Sequence, residues 1–265
     1  MKPRKFIGLL SVLVIGSSLL AKAQIVLDPT IGSHTYTQNF NTLPSTGNPT
    51  WTDNTTLSGW YGTPATTGTF TGMIVATTGA NGNFLGSFGS SSSSDRALGA
   101  NPGGANKAWG LRLQNSGTTT ITINTISFTG EEWRTGSGTA QTVSVAYLLL
   151  ASPITSLSGT GYVSLSGLGF TSPVTSPTGT NLDGNNAANQ VAVSLGSLAI
   201  TLAPGTEMML RWTYLDGGGN DANLAIDNFS LGYTTAVPEP STWGMIFVGL
   251  CGLLYFRQRR GVRHD

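Results

Sequence analysis

Carboxylate side chains are the reactive groups that this sequence brings together, and several of them surround one glycine-rich turn. Asp216, Asn220, Asp221 and Asp227 lie in or beside the segment Asp-Gly-Gly-Gly-Asn-Asp. Oxygen ligands of this kind bind hard cations such as calcium, although the spacing fits no established calcium loop. The same residues also suit a tight turn between two strands. We therefore treat Asp216, Asp221 and Asp227 as weak calcium candidates beside the simpler interpretation as a turn, and we expect no other cofactor.

Paired carboxylates could also act as the acid and base of a glycoside hydrolase. The candidates are Glu131, Glu132, Glu207, Asp216, Asp221 and Asp227. Charged residues make up only 9% of the sequence, which favours structural ion pairs over an acid and base pair. We expect Glu131 or Glu132 to pair with Arg134 or Arg211 at the ends of strands.

Nucleophilic catalysis needs a serine or cysteine with a positioned base, which is usually histidine. His34, which we expect at the surface, is the only histidine between residues 24 and 237, and Cys251 lies in the C-terminal apolar run. The sequence therefore predicts no catalytic residue and a protein that is not an enzyme.

Two other patterns are typical of binding. Exposed aromatic rings stack on sugars, unless they fill the core instead. The candidates for stacking are Trp51, Trp60, Tyr61 and Trp133, whereas Trp109 and Trp212 lie in alternating runs and are expected in the core. The segment TTTITIN (118–124) resembles the threonine faces of ice-binding proteins. Only one such strand is clear, however, and threonine is ordinary on the wet face of a sheet.

The elements that must position these residues are strands. No stretch between residues 24 and 237 keeps apolar residues at helical spacing over three turns, whereas short alternating runs bounded by Gly, Ser, Asn and Pro are typical of strands and turns. We predict an all-β fold, a single β-sandwich of the jelly-roll type with roughly ten strands. The predicted strands are 36–40, 69–75, 107–114, 118–130, 141–150, 161–168, 189–195, 198–202, 207–215 and 224–233.

The apolar residues of two of these strands change parity midway. A strict period of two forbids this unless an extra residue is inserted, so we predict β-bulges near Asn124 and Asn228. Two segments rich in Ser, Gly and Asn, 79–104 and 171–189, are predicted to be irregular because they offer little surface to bury.

The N-terminus has the features of a secretory signal peptide. Basic residues precede an apolar core at 6–20, and Ala21 and Ala23 form an Ala-x-Ala site. We predict a signal helix at 1–23, passage through the export translocon and cleavage before Gln24.

The charge of the exported part excludes one class of partner. Between residues 24 and 237 there are five basic and ten acidic residues. A nucleic-acid partner would need a basic patch, so we predict none.

The C-terminus combines a triplet, an apolar run and a basic cluster. The triplet is Pro238, Glu239 and Pro240, and the cluster is Arg257, Arg259 and Arg260. The run at 243–256 has 14 residues, and such a helix covers roughly 21 Å, short of the ~30 Å of a bilayer core. It therefore predicts a transient membrane anchor, a short transmembrane helix with the arginines on the cytoplasmic side. Two prolines hold the triplet extended, the form that a protease cleft binds.

These features resemble the PEP-CTERM sorting signal of bacterial envelope proteins, a tail that is also found on some ice-binding proteins. In that family an exosortase, a membrane-embedded cysteine peptidase, recognises the signal and removes the tail. The resemblance implies that Pro238, Glu239 and Pro240 are the sorting motif and that the three arginines are its basic stop cluster.

The exported part resembles a second set of sequences. Its blocks are SSDRALG (93–99), TGEEWR (129–134), LDGN (182–185), LRW (210–212) and GNDANLAIDNFSL (219–231). They are similar to blocks in exported bacterial proteins, many with the same tail and some fused to nuclease modules. The resemblance implies a jelly-roll module, often compared with carbohydrate-binding sandwiches, and it carries over no activity.

The sequence thus predicts a signal peptide at 1–23, a β-sandwich passenger at 24–233 and a sorting signal at 234–265. The expected protein is exported, held in the inner membrane until an exosortase-type peptidase cuts it, and then found at the cell surface or outside. It is expected to be non-enzymatic and associated with extracellular polysaccharide. The alternatives are a carbohydrate-binding adhesion module and, less favoured, a secreted hydrolase or an ice-binding protein.

Overall fold

The computed structural model describes residues 24–64, 73–76, 82–91, 93–154, 156–236 and 251. The predicted signal helix, the Pro-Glu-Pro triplet, the basic cluster and all of the predicted membrane helix except Cys251 lie outside these residues. Within the part of the chain that the structure describes, no helix is long and apolar enough to cross a bilayer.

Almost all regular structure in the described residues is strand. The strands are β1 (Ile25–Val26), β2 (Gly32–Gln38), β3 (Trp60–Pro64), β4 (Met73–Ala76), β5 (Phe84–Phe88), β6 (Ala97–Asn101), β7 (Lys107–Gln114), β8 (Ile121–Arg134), β9 (Thr142–Leu150), β10 (Val163–Ser164), β11 (Phe170–Thr171), β12 (Gln190–Leu195), β13 (Ile200–Leu202), β14 (Glu207–Tyr214) and β15 (Asn223–Thr235). Two short 3-10 helices lie at Ser166–Leu168 and Ala187–Asn189.

The strands form two sheets that pack as a sandwich, which confirms the predicted fold class. Sheet A has the order β1-β7-β14-β9-β10, with β3 paired to β7 and β11 paired to β9. Sheet B has the order β12-β8-β15-β6-β5-β4, with β13 paired to β8 and β2 paired to β15. From β7 to β9, and again from β13 to β15, each connection crosses from one sheet to the other, as in a jelly roll.

The strands with clear alternation were predicted well. β7 occupies the predicted residues, and β9, β12, β14 and β15 differ from prediction by one or two residues at their ends. The predicted strand 161–168 is wrong over most of its length, because it forms only the two-residue β10 and a 3-10 helix that places Leu168 in the core.

Both predicted bulges are confirmed in the central pair of sheet B, β8 and β15. Asp227 pairs with Thr129 and Ser230 with Ser127, so β15 has one extra residue beside Asn228, whose φ is 51°. The pairing then shifts again after Gly232, where Asn124 is the extra residue of β8. Each extra residue returns the apolar side chains to the core face. A third shift, at Trp133, was not predicted.

The prediction of irregular structure at 79–104 is wrong. This segment contains β5 and β6, which pair with each other, and β6 also pairs with β15. Its small residues allow close approach, since a Cβ on Gly99 would lie 2.2 Å from the carbonyl oxygen of Leu224. Phe84, Phe88 and Leu98 supply the burial that the composition concealed. The other segment, 171–189, is largely irregular as predicted.

The core between the sheets contains an aromatic cluster. The rings of Trp60 and Trp212 stack with centroids 5.6 Å apart, and Phe229 meets both edge-on. Phe40 and Phe128 extend the cluster on either side. Aromatic side chains bury large areas, which suits a domain whose residues 24–237 include no cysteine.

The ion pairs that we expected for Glu131 or Glu132 with Arg134 or Arg211 are wrong. Arg134 donates to the carbonyl oxygen of Asp221, and Arg211 donates to that of Leu157 while it lies 3.5 Å from the centroid of the Tyr162 ring. Long cationic side chains bury their stems easily and bond to backbone oxygens, so the two glutamates obtained other partners.

Sheet A instead contains a buried ion pair between β7 and β14. Arg112 donates from Nε to Oε2 of Glu207 at 2.8 Å and from Nη2 to Oε1 at 2.6 Å. The side chains are 3% and 4% exposed. Glu207 Oε2 also accepts a hydrogen bond from the backbone N–H of Ile154. The pair thus ties β7 and β14 to the loop after β9.

We expect Arg112→Met to lower the free energy of unfolding by about 3–5 kcal/mol, because Glu207 would be left buried without its cation. Chemical denaturation followed by tryptophan fluorescence measures the change. Replacing both partners, Arg112→Met with Glu207→Leu, is the matched control and should recover part of the loss. If the free energy of unfolding of Arg112→Met were within about 1 kcal/mol of that of the parent protein, the ion pair would contribute little to stability.

Candidate functional site

The structure separates the candidate carboxylates into two groups. The outer group, Glu131 and Asp227, lies on the face of sheet B that points away from sheet A. Asp95, in the loop before β6, is close enough to act electrostatically on Glu131. The end group, Glu132, Asp216 and Asp221, lies where β8 ends and the loop between β14 and β15 passes. Within the described ranges, no three His, Cys, Asp or Glu residues are placed to hold a metal ion.

Register explains why Glu131 and Asp227 are neighbours. Glu131 pairs with Ala225, and Asp227 lies two residues further along β15, so the two side chains are diagonal neighbours on one face. Trp133 donates from Nε1 to Glu131 Oε2 at 3.0 Å, and Asn228 donates from Nδ2 to Asp227 Oδ2 at 2.9 Å. The glutamate is 1% exposed and the aspartate 3%.

Burial raises the pKa values of Glu131 and Asp227. Desolvation, followed by the charges of Asp227 and Asp95, raises the pKa of Glu131 to about 8, against the hydrogen bonds from Trp133 and Gln190. Desolvation also raises the pKa of Asp227 to about 7. At neutral pH Glu131 is therefore mainly a neutral hydrogen-bonding side chain, whereas Asp227 is near the midpoint of its ionisation.

The end group is organised by Gln141 and Tyr214, which no sequence motif marked. Gln141 donates from Nε2 to Asp221 Oδ1 and accepts at Oε1 from the hydroxyl of Tyr214, 2.7 Å away. Glu132 Oε2 accepts from the backbone N–H of Val174, and burial raises the pKa of Glu132 to about 7. Sequence reasoning could not have found Gln141, because its partners Tyr214 and Asp221 lie 73 and 80 residues further along the chain.

The three calcium candidates are not together in this arrangement. The carboxyl groups of Asp216 and Asp221 lie within hydrogen-bonding reach of each other, whereas Asp227 belongs to the outer group. Asp216 Oδ1 accepts from the backbone N–H of Gly218, and Asp221 Oδ1 accepts from that of Gly217, as expected for a turn. Calcium at Asp216 and Asp221 stays a prediction.

The arrangement gives little support to acid and base chemistry. A glycosidase needs two carboxyl groups that reach a substrate, but Glu131, Glu132, Asp221 and Asp227 are at most 3% exposed. Of the two other candidates, Glu207 is held by Arg112, and Asp216 is exposed but accepts a backbone hydrogen bond within its own turn.

The aromatic candidates for sugar stacking are all buried. The exposed fractions of Trp51, Trp60, Tyr61 and Trp133 are 2% or less, and Trp109 and Trp212 are in the core as predicted. Trp133 packs under the loop after β11, where a Cβ on Gly184 would lie 2.3 Å from its ring. These rings therefore present no face to a ligand.

His34 is half-buried in β2 and has a structural environment. Its Nε2 lies 2.8 Å from the carbonyl oxygen of Thr30, and its ring stacks on Tyr233 with centroids 5.2 Å apart. Asp28 is 3.7 Å from its Nδ1. No serine hydroxyl is hydrogen-bonded to this ring among the described contacts, so the geometry is not that of a triad.

The family comparison concerns the segment that follows β15. Residues 236–260 match the model of the PEP-CTERM protein-sorting motif. The chain carries a PEP-CTERM sorting signal. The matched range includes the Pro-Glu-Pro triplet and the basic cluster, and it begins one residue after β15 ends. A chain with this motif is an exported protein that is sorted at the membrane.

Comparisons of the whole chain add less. No curated protein matches the sequence significantly. The fold is similar to the cleaved K3 adhesin domain of Lys-gingipain from Porphyromonas gingivalis, with a TM-score of 0.40 and 12% identity over 76% of this chain and 99% of that one. It is also similar to TmCBM61, solved with β-1,4-galactotriose, with a TM-score of 0.27 and 8% identity over 53% of this chain and 72% of that one. Because both TM-scores are low, neither likeness indicates a function for this chain.

The raised pKa values predict that stability falls as the pH rises. Glu131 ionises near its usual 4.5 in the unfolded chain but has a pKa of about 8 when folded. Its contribution to stability is therefore complete below about pH 4.5 and is lost progressively up to about pH 8. Glu132 and Asp227 act in the same direction. Thermal unfolding at a series of pH values between these limits measures the slope.

The variant Glu131→Gln isolates one part of this slope, because glutamine is neutral and its Oε1 can still accept from Trp133. We expect the variant to lose less stability than the parent protein between these pH values, and to be the more stable of the two at the alkaline end. Thr142→Val, at an exposed position of β9 without a titratable group, is the control and should leave the slope unchanged. Parallel curves for Glu131→Gln and the parent would contradict a buried, protonated Glu131.

Proposed function

We propose that this chain is a non-enzymatic protein of the cell envelope or extracellular matrix, delivered through its PEP-CTERM signal and associated with surface polysaccharide. The observation that carries the proposal is the position of the motif. The sandwich closes with β15 at Thr235, and the motif begins at Ala236. Removing the tail would therefore leave both sheets complete.

The proposed processing has two steps. The translocon exports the chain, and a signal peptidase cuts after Ala23, two residues before β1 begins at Ile25. The apolar run at 243–256 then holds the protein in the inner membrane until an exosortase cuts near Pro238, Glu239 and Pro240. The arginines of the basic stop cluster keep the tail on the cytoplasmic side. The product is released or attached at the cell surface.

A non-enzymatic role is supported by the state of the reactive groups. Five of the six carboxyl groups that could have formed an acid and base pair are buried, all except Asp216. Burial also raises the pKa values of Glu131, Glu132 and Asp227. His34 is bonded to a backbone oxygen. A secreted hydrolase is accordingly the less favoured alternative. Association with polysaccharide, and not with nucleic acid, fits the five basic and ten acidic residues between positions 24 and 237.

The role of the triplet is tested by Glu239→Ala in the native host. We expect the full-length variant to accumulate in the inner membrane, because the peptidase would lose the charged centre of its recognition segment. Membrane fractionation and immunoblotting measure the accumulation. Ser241→Ala, immediately after the triplet, is the control and should be processed. Normal processing of Glu239→Ala would count against the sorting proposal.

The positions of the two cuts are tested by mass spectrometry of the mature protein from the native host. We expect an N-terminus at Gln24 and a C-terminus between residues 236 and 240. The mass would also reveal a covalent attachment at the new C-terminus. A mature protein that retains residues 243–256 would contradict the proposed release step.

A further inference from the structure

The face of sheet B that points away from sheet A carries hydroxyl side chains in three ranks, each of which is a row of residues paired across neighbouring strands. The ranks lie beside Glu131 and Asp227, further toward the other end of β8 and β15. These ranks, called here the hydroxyl face, follow from the strand registers. They are Thr201, Thr122, Thr234 and Ser33; then Thr125, Gly232 and Thr35; then Ser194, Ser127, Ser230 and Thr37. Every position except Gly232 supplies a hydroxyl group from one of five strands.

The side chains of the hydroxyl face point away from the core. In β2 the exposed Ser33, Thr35 and Thr37 alternate with His34 and Tyr36, which face inward. The same alternation holds in the neighbouring strands, where the residues that flank the ranks along each strand include the buried Ile121, Ile123, Ile126, Ile200, Leu202, Phe229 and Leu231. The face is about 14 Å wide across four strands and about as long.

The hydroxyl groups are available to a ligand. Among the described contacts, Thr234 accepts a hydrogen bond from Asn124 Nδ2, and the remaining hydroxyl groups of the three ranks form no side-chain hydrogen bond within the protein. A free hydroxyl group both donates and accepts, which is what the hydroxyl groups of a sugar chain require of a partner.

An open groove adjoins the third rank. It is lined by Thr37, Gln38, Asn39, Asn228, Phe229 and Ser230. It lies where the free edge of β15 passes from β6, which pairs up to Ile226, to β2, which pairs from Phe229 onward. Asn228 has a φ of 51°, a conformation that costs energy for a residue other than glycine. Amide groups at Asn39 and Asn228 extend the polar lining of the face.

The charge of the surface limits the partner. None of the three ranks contains a charged residue, and the nearest carboxylates on this face, Glu131 and Asp227, are buried. An acidic polymer would find no cation here, and an apolar partner would leave the hydroxyl groups unpaired. A neutral, hydroxylated polymer satisfies both conditions.

The bulges argue for a flexible polymer over an ordered lattice such as ice. The one at Asn124 separates the first rank from the second, and the one beside Asn228 adjoins the third. Bulges increase local twist, so the ranks do not repeat at a constant spacing. A polysaccharide chain adapts to such a surface, whereas a crystal plane does not.

We propose that the hydroxyl face, together with the adjoining groove, is the surface that binds a neutral extended polysaccharide. This rests on the proposed association with polysaccharide and identifies where it occurs. Since no aromatic ring is exposed there, each sugar contributes little energy, and binding depends on many hydroxyl contacts along one chain. The face should therefore bind polymers and ignore monosaccharides.

The test is affinity electrophoresis of the full-length protein, kept in detergent, through gels that contain dextran or hydroxyethylcellulose, with alginate as the acidic probe. The face variant is Thr35→Val, Thr125→Val and Thr201→Val, which removes three hydroxyl groups and keeps β-branched side chains. The matched control, Thr142→Val, Thr171→Val and Thr213→Val, changes three threonines of sheet A. Thermal unfolding confirms that each variant is folded.

We expect a neutral polymer to retard the parent protein and the control, glucose not to compete, and the face variant to bind at least about tenfold more weakly, since each lost hydrogen bond costs a factor of about two to ten. A variant with serine at the same three positions should bind like the parent. Retardation by alginate alone, no retardation by either neutral polymer, or equal retardation of the face variant would overturn the proposal. The proposal would also be overturned if the parent protein inhibited ice recrystallisation, the face variant did not, and neither bound a neutral polymer.

The two proposals fail separately. The electrophoresis uses purified protein and does not depend on processing, so loss of binding with normal dependence of sorting on Glu239 would remove the hydroxyl face and leave the envelope function. If the protein binds a neutral polymer but its Glu239→Ala variant is processed normally, the proposed binding face stands and the sorting proposal is contradicted.

Discussion

The pairing of β8 with β15 is the constraint on which the rest of the sandwich depends. These strands have 14 and 13 residues and lie side by side at the centre of sheet B. Each is long enough to pair with two shorter strands in succession on its other edge: β12 and β13 pair with β8, and β6 and β2 pair with β15. Because the period of a strand is two, such long strands keep their apolar residues inward only if bulges correct the register. The bulges at Asn124 and Asn228 do this, and the second one opens the edge where the groove lies.

A consequence of this pairing is that carboxyl groups become buried without cations. The end of β8 and the start of β15 bring Glu131 and Asp227 together on the outer face. Trp133 donates a hydrogen bond to Glu131 and packs under the loop after β11. Burial favours the protonated form and raises the pKa values of both groups. Glu207 has a different solution, because Arg112 reaches it from the neighbouring strand. Buried glutamate therefore occurs in two electrostatic states in this domain: Glu131 has a raised pKa, whereas Glu207 is paired with an arginine.

The fold and the sorting signal are consistent with each other. β15 is a central strand, yet it ends at the residue before the matched motif. A tail removed at that point takes no part of either sheet with it, and the domain that remains has a polar face without charge. An exported protein built in this way can lose its tail while its core, which is stabilised by aromatic packing and not by disulfides, stays intact.

The sequence by itself determined the elements whose signal is local. Alternation gave β7, β9 and β14, the change of parity gave the bulges at Asn124 and Asn228, and the proline-flanked Glu239 gave the sorting motif. Only the tertiary structure decided which partners distant residues obtained. Sequence analysis missed strands β5 and β6 because their small residues hide the pattern of a buried strand. The expected ion pairs of Glu131 and Glu132 with arginine were wrong because pairing across strands depends on register. The hydroxyl face could not be predicted for the same reason: its ranks join Ser33 to Thr234 and Thr122 to Thr201, residues that are neighbours only after the sheet has formed. Periodicity depends only on residues that are close in sequence, whereas register depends on how all the strands pack together.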